Sequence, residues 1–182
     1  ILRCLVGSEM CIRDRNCNSI CSKWLEIESL IPSYDIISLT ETKIDSLVTD
    51  ESLSVPGYHL SRYDRNCHGG GVLTYINNFL GPRCLDDIQG KYNKLGLEVT
   101  VTHLTISKLS SIILSVYRPP SARVHWFDAL QELVLEVSVL GKIIIMGDLN
   151  CDMLKPDSWQ CLNLNKVLAL SLIHISEPTR HL

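Results

Sequence analysis

The chain has 182 residues, of which 46% are apolar and 20% charged, and its formal net charge is -3 at pH 7. This length and composition are typical of one globular domain with a hydrophobic core. A net negative charge excludes a general cationic surface for unspecific nucleic-acid binding, so a DNA substrate would need a local basic rim. No apolar run reaches transmembrane length and no signal peptide opens the sequence, so we expect an intracellular protein without a membrane partner.

The two ends of the chain are related at the level of DNA. Gly7–Asp14 can be encoded as GGC TCG GAG ATG TGT ATA AGA GAC, and the reverse complement of that DNA, read one base in, encodes Ser171–Glu177 and the start of a proline codon. Both ends resemble translated transposase-type adapter from sequencing libraries. We therefore predict that residues 1–15 and 170–182 are adapter-derived and that the fold comprises residues 16–169.

The first half of the remaining chain predicts a helix and three strands. Ser22 can cap a helix that continues to Leu30, and Pro32 stops it. The glycine run Gly69–Gly71 permits positive φ or close backbone approach, and no P-loop lysine follows it, so we interpret it as a backbone requirement. The strands are expected at Tyr34–Leu39, within Val55–Asn66 and within His68–Ile76.

The second half alternates between strands and helices. Pro119 and Pro120 end one strand, because proline has no donor for a sheet ladder. Nearly continuous apolar strands indicate a sheet covered on both faces, and the absence of repeats and linkers indicates a single α/β domain. The strands are expected at Leu97–Ile106, Ser110–Tyr117 and Ile143–Met146, and the helices at Val124–Leu140 and Ser158–Leu168.

The eight cysteines are scattered along the chain. No CxxC pair is followed by a second pair or by spaced histidines, which argues against a zinc site. Reduced thiols are expected in an intracellular compartment. We interpret six of the cysteines as small apolar fillers: Cys17, Cys21, Cys67, Cys84, Cys151 and Cys161.

Polar side chains follow the carboxyl ends of several predicted strands, where ligand sites lie in layered α/β folds. Glu41 offers a hard oxygen for Mg²⁺, and Tyr117 offers a phenolic donor. Asp148 and Asn150 should project on the same side of an extended segment. One of them can then orient or deprotonate a water molecule while the other donates an N–H to a phosphate oxygen. Together with a metal, such groups would offset the charge that builds up during phosphodiester hydrolysis.

Six motifs, "NCNSI", "LTET", "SRYDRN", "GGGVLTYI", "VYRPP" and "GDLN", follow one another in this order. In this order they resemble the endonuclease/exonuclease/phosphatase superfamily, and more narrowly the endonuclease domain of non-LTR (LINE-type, jockey- or CR1-like) retrotransposons. The resemblance covers most of residues 16–169. It implies a four-layer α/β sandwich, with two packed β-sheets flanked by helices, that we expect to be incomplete at both ends.

The resemblance also implies an activity. The chain would hydrolyse one strand of DNA with Mg²⁺, or Mn²⁺ in its place, and leave a 3′-hydroxyl. In the nucleus, that end would prime a reverse-transcriptase domain of the same parent polyprotein. By motif, Glu41 and Asn16 would hold the metal, Tyr117 would contact the scissile phosphate, Asp148 would handle the attacking water, and Asn150 would position that water or the phosphate.

Several alternatives stay open at this stage. The family's closing Ser-Asp-His motif is absent from the sequence, so we expect weak or no activity. The rivals are an abasic-site repair nuclease, a phosphoesterase for small molecules, and a non-catalytic fragment. Glu41 can also be a cap, Asp148 and Asn150 a simple turn, and Tyr117 a core aromatic. Three arginines are either solvated or in contact with a DNA phosphate, and Arg118 is the candidate substrate ligand among them: Arg62, Arg65 and Arg118.

Overall fold

The computed structural model describes residues 3–6, 8–106 and 109–171, in which nine strands and four helices are seen. The strands are β1 (Arg3–Val6), β2 (Ser8–Asn16), β3 (Ile36–Thr40), β4 (Tyr58–Tyr63), β5 (Val72–Asn77), β6 (Arg83–Cys84), β7 (Glu98–Ile106), β8 (Leu109–Tyr117) and β9 (Lys142–Asp148). The helices are α1 (Trp24–Leu30), α2 (Asp86–Lys94), α3 (His125–Ser138) and α4 (Trp159–Ser171).

The strands form two mixed sheets. One has the order β1-β2-β3-β5-β4 and the other β6-β7-β8-β9. In each sheet one neighbouring pair is parallel, β2 with β3 and β8 with β9, and the remaining pairs are antiparallel. The parallel pairs are joined by α1 and α3, as parallel neighbours require a crossover connection.

Three apolar cores hold these layers together. The sheets face each other across residues such as Ile36 and Ile76 on one side and Leu104 and Ile113 on the other. The helix α1 packs on the outer face of the first sheet. The helices α2, α3 and α4 pack on the outer face of the second. The predicted four-layer α/β sandwich is therefore confirmed.

Helix α3 shows how the sequence specifies one outer layer. Trp126, Leu130, Leu133 and Val137 recur at spacings of three and four, and all four are buried. Each fully buried side chain of this kind contributes about 1.5–3 kcal/mol. The helical period thus placed one apolar stripe against the sheet, and the predicted helix is confirmed.

Helix α2 was missed by the sequence analysis. Its sequence DDIQGKYNK is mostly polar and has Gly90 at its centre, so the apolar periodicity is weak. The charges nevertheless suit a helix, because Asp86 and Asp87 lie in the first turn and Lys91 and Lys94 in the last. Ser22, in contrast, caps nothing: it lies in a 3₁₀ turn before α1, and its hydroxyl donates to the carbonyl of Ser19 over 3.4 Å.

Strand β2 precedes the predicted start of the fold at residue 16, and that boundary stays a prediction. Strand β2 pairs in parallel with β3 from Ile12 opposite Ile36 to Asn16 opposite Thr40, and the side chains of Met10 and Ile12 are buried between the sheets. The alternation of apolar and polar residues over this segment fits a strand that has one face in the core. The adapter origin of residues 1–15 and 170–182 stays a prediction, and residues 172–182 lie outside the described part.

Strand β9 is covered on both faces, as expected, with Ile143 and Ile145 against the outer core and Ile144 and Met146 against the core between the sheets, but it lies at an edge. Within the described residues it pairs only with β8, at one edge of its sheet, and Ile143, Ile144 and Ile145 are half-buried. No helix in the described part of the chain is long and apolar enough to cross a membrane.

The six cysteines interpreted as apolar fillers fall into three groups, of which Cys84 and Cys151 form the half-buried one. Cys17 and Cys161 are buried, as expected of apolar fillers, and burial raises the pKa of the Cys17 thiol to about 11. For Cys21 and Cys67 the expectation is wrong, since both are exposed.

Candidate active site

Four strands end at one rim of the sandwich because both parallel pairs run toward it. In the first sheet β2 ends at Asn16 opposite the last residue of β3, and in the second sheet β8 ends at Tyr117 opposite Asp148 of β9. The antiparallel strands β5 and β7 begin at the same rim, where Glu98 stands opposite Tyr117. Residues distant in sequence are thus brought together by topology alone.

Two hydrogen bonds join the sheets at this rim. Asn16 Nδ2 donates to Asp148 Oδ2 over 3.1 Å, although the residues are 132 positions apart in sequence. The phenol of Tyr117 donates to Glu41 Oε1. The structure therefore brings together four of the residues that the sequence singled out, two from each sheet.

The loop after β9 is folded back and not extended, so that expectation is wrong. The backbone of Asn150 is left-handed, with φ of 48°, and its N–H donates to Asp148 Oδ1 over 3.0 Å. Its carboxamide nitrogen donates to the carbonyl of Arg118 over 2.7 Å. Asn150 therefore orients the carboxylate of Asp148 from within the chain. Both residues line a cavity of about 550 Å³ between this loop and Leu164.

Arg118 is not a solvated residue, and that part of the prediction is wrong. Its side chain is fully buried, and the guanidinium donates to the carbonyls of Ala122 over 2.7 Å, Asn150 over 3.3 Å and Leu149 over 3.5 Å. A guanidinium enclosed in this way is not placed to contact a substrate phosphate, and it fixes the loop that carries Asp148. The enclosing rings lie 5.2–6.0 Å from its central carbon and belong to Trp126, Phe127 and Trp159.

Left-handed backbone is concentrated at the rim. The φ angles are 45° at Asn18, 59° at Glu41, 53° at Lys43 and 48° at Asn150, in a region that non-glycine residues adopt rarely. Backbone hydrogen bonds hold these residues in place, for example from Ser19 N to the carbonyl of Glu41 over 2.7 Å. Strain of this kind persists where the surrounding structure fixes it, and it occurs often at functional sites.

Burial and hydrogen bonding keep the phenol of Tyr117 protonated. Burial first, and then the hydrogen bond to the Glu41 carboxylate, raise the pKa of Tyr117 above its usual range. The side chain is 2% exposed, with its hydroxyl directed at Glu41. At neutral pH Tyr117 is therefore a hydrogen-bond donor at the rim.

The sequence pattern of the endonuclease/exonuclease/phosphatase family matches residues 16–179. The chain belongs to this family. None of the curated proteins matches the chain.

Several solved structures share the fold of this chain at low sequence identity. The Neisseria 3′ phosphatase NExo, bound to a product DNA hairpin, is 19% identical over 88% of this chain and 71% of that one, with a TM-score of 0.61. The catalytic domain of Xenopus laevis APE2 is 19% identical over 86% of this chain and 67% of that one, with a TM-score of 0.62. The endonuclease domain of TRAS1, a telomere-specific non-LTR retrotransposon, is 13% identical over 87% and 70%, with a TM-score of 0.59.

The donor set at the rim of this family member fits one hard divalent cation. Glu41 is partly exposed, and its Oε2 lies 3.7 Å from Lys43 Nζ, beyond a close hydrogen bond. Asn16 supplies a carboxamide oxygen, which accepts the N–H of Asn18 over 3.1 Å. Mg²⁺ needs only one or two carboxylates and keeps several waters. No three His, Cys, Asp or Glu side chains gather as a ligand cluster within the described residues.

Two charged residues of the rim were missed as a pair by the sequence analysis. Glu98 is 4% exposed, and burial raises the pKa of its carboxyl group. Its Oε1 accepts from Arg65 Nη1 over 2.8 Å and its Oε2 from Gly71 N over 2.7 Å. An acidic residue at the start of an alternating strand was the available signal, but its partner lies in the loop between β4 and β5 and could not be identified from sequence.

The interpretation of the glycine run as a backbone requirement leads to a prediction. Gly70 has φ of +69°, and a β-carbon there would collide with the side chains of Glu98 and Arg65. We expect Gly70→Ala to cost at least about 1–2 kcal/mol, the penalty of a left-handed alanine alone. Gly90 of α2 has open space around it, so Gly90→Ala should stabilise by about 0.4–1 kcal/mol. Urea unfolding of both variants measures the difference, and equal midpoints would contradict it.

Proposed function

We propose that this chain is the Mg²⁺-dependent endonuclease domain of a non-LTR retrotransposon. It would nick one strand of target DNA in the nucleus and leave a 3′-hydroxyl that primes the reverse-transcriptase domain of its parent polyprotein. The observation that supports this most is the meeting of Asn16 with Asp148 and of Glu41 with Tyr117 at one rim. The six motifs, taken in their order along the chain, resemble the retrotransposon type within the family.

Each residue of the rim has a chemical task in this proposal. Glu41 and Asn16 would hold the metal, which when bound would neutralise charge on the scissile phosphate. Tyr117 would turn its hydroxyl from Glu41 to the substrate and donate a hydrogen bond, without giving up its proton, to a phosphate oxygen. Asp148 would accept a proton from the attacking water, since its carboxylate is oriented by Asn16 and by the N–H of Asn150.

The proposed activity is slow for this chain. None of its six histidines follows a Ser-Asp pair, so the histidine of the family's closing motif has no counterpart among the 182 residues. A group of that type commonly contributes about 10²–10⁴-fold to a rate. We therefore expect nicking that is detectable only with high enzyme concentration and long incubation.

A plasmid assay tests the proposal. Supercoiled DNA is incubated with the chain and Mg²⁺, and the nick is then extended by a DNA polymerase to reveal a 3′-hydroxyl. We expect slow, extendable nicking that stops with EDTA and in the Glu41→Gln variant. Nicking that persists in EDTA, or a preference for an abasic oligonucleotide over intact DNA, would contradict the proposal, the latter in favour of a repair nuclease. Robust turnover would contradict only the expectation of slow activity.

A further inference from the structure

Arg65 is a partly exposed cation at the rim. Its guanidinium carbon lies 6.0 Å from the centre of the Tyr117 ring. The hydroxyl of the same tyrosine donates to Glu41. The Arg65 side chain is 36% exposed, whereas that of its partner Glu98 is 5% exposed. Arg65 is thus held by the buried Glu98 carboxylate, and its side chain is partly open to solvent beside the proposed reaction site.

The anchor is built from several elements. Arg65 Nη1 donates to Glu98 Oε1 over 2.8 Å, and Arg65 Nε donates to the carbonyl of Gly69 over 2.8 Å. The second oxygen of Glu98 is held by the N–H of Gly71. A β-carbon at Gly69 or Gly70 would collide with the guanidinium, so the glycine run allows the backbone to wrap around it.

Arg62 shows what a structural arginine looks like in the same region. Its side chain is 15% exposed, and it donates to Asp50 over 2.8 Å, to the carbonyl of Val48 over 2.8 Å, and to Asp64. Two carboxylates therefore surround this cation, and its donors point into the loops. Arg65 has one carboxylate partner, which is buried, and its side chain is 36% exposed, more than twice the exposed fraction of Arg62.

The fixed position of Arg65 against Glu98 and Gly69 is not explained by packing alone. Holding an arginine side chain in one geometry costs conformational entropy, and burying the Glu98 carboxylate costs hydration. A fixed, planar guanidinium with an outward edge is suited to a phosphate group. The net negative charge of the chain makes such a local cation more necessary for DNA, since no general cationic field is present.

We propose that Arg65, held by Glu98 and the glycine run, binds a phosphate of the DNA at the rim beside the scissile bond. This inference rests on the proposed function and adds a residue to its substrate contacts. Arg65 positions the strand, while the residues around Asp148 act on the bond that is cut.

The test uses DNA binding, which does not require turnover. Binding of a fluorescent duplex is followed by anisotropy in EDTA between 50 and 200 mM salt, a range over which phosphate contacts are revealed. Each phosphate contact contributes about 0.9 to the slope of log K against log salt. We expect Arg65→Gln to lower that slope by about 1 and to weaken binding roughly tenfold at the lower salt concentration.

Arg83 provides the matched control. It is exposed on β6 opposite His103, five positions along β7 from Glu98, or about 17 Å at the usual rise of a strand. Arg83→Gln should leave the slope unchanged. Phenylglyoxal labelling of the unaltered chain adds a measurement that does not depend on the folding of a variant, and bound DNA should protect Arg65 but not Arg83.

The outcomes separate the two proposals. If the unaltered chain binds no DNA at the lowest salt concentration, the proposed function and the role of Arg65 both fail. If it binds DNA but Arg65→Gln leaves the slope unchanged, or DNA leaves the labelling of Arg65 unchanged, only the role of Arg65 is overturned.

Discussion

The Asp148→Asn variant is expected to nick plasmid DNA at least about 100-fold more slowly than the unaltered chain, the usual minimum for loss of a general base. A carboxamide cannot accept the proton of the attacking water. The substitution keeps the size of the side chain, and one oxygen remains to accept from Asn16 or from the N–H of Asn150. The measurement is the amount of nicked circle formed over long incubation with Mg²⁺.

Asp152 offers a control in the same loop. It is exposed, and its carboxylate lies 3.4 Å from Lys155 Nζ at the surface. Exposed pairs of this kind contribute about 0–1 kcal/mol to stability. Asp152→Asn should nick at the rate of the unaltered chain. Equal losses in the two variants, with equal melting temperatures, would show that Asp148 has no special part in the reaction.

The Arg118→Met variant is expected to be the most destabilised of the substitutions considered. It removes the buried cation from three backbone carbonyls and leaves those carbonyls without their donor. A buried acceptor left without its donor costs about 1–3 kcal/mol, so we expect a total of about 3–5 kcal/mol for these carbonyls. For a chain of this length that corresponds to a fall in Tm of roughly 10 °C. Thermal unfolding followed by circular dichroism measures the shift.

Arg123 serves as the control for charge and residue type. It is exposed, five positions further along the chain, and Arg123→Met should change stability by less than about 0.5 kcal/mol. A Tm of Arg118→Met within about 2 °C of the unaltered chain would contradict the structural role of Arg118, since that shift corresponds to about 1 kcal/mol or less.

The sequence predicted the layers of the fold because its periodicities are strong. The stripe of α3 and the alternation in β7 each specify one buried face, and both elements were predicted within one or two residues. Elements whose pattern is weak were missed, as with the polar helix α2. Most of strand β2 was left out of the predicted fold because its possible codons match adapter DNA, and the alternation of its side chains was not considered.

The candidate site was predictable only in part. Glu41, Tyr117 and Asp148 are at or just past strand ends, and a parallel pair in each sheet brings those ends to one rim. Arg118 was misjudged because an arginine that follows a strand is usually exposed, and nothing local shows three aromatic rings closing over it. The pair of Glu98 and Arg65 depends on contact between two sheets, which no local pattern reveals.

Because the residues of the rim come from two sheets, activity should be sensitive to substitutions that shift one sheet relative to the other. A displacement of one sheet along the other by a single residue, about 3.3 Å, would separate Asn16 from Asp148 and Glu41 from Tyr117 together. Substitutions in the apolar layer between Ile36 and Ile113, far from any reacting atom, should therefore reduce catalysis while most of the native secondary structure persists. Enzymatic rate then reports the alignment of the two halves more sensitively than spectroscopic measures of folding.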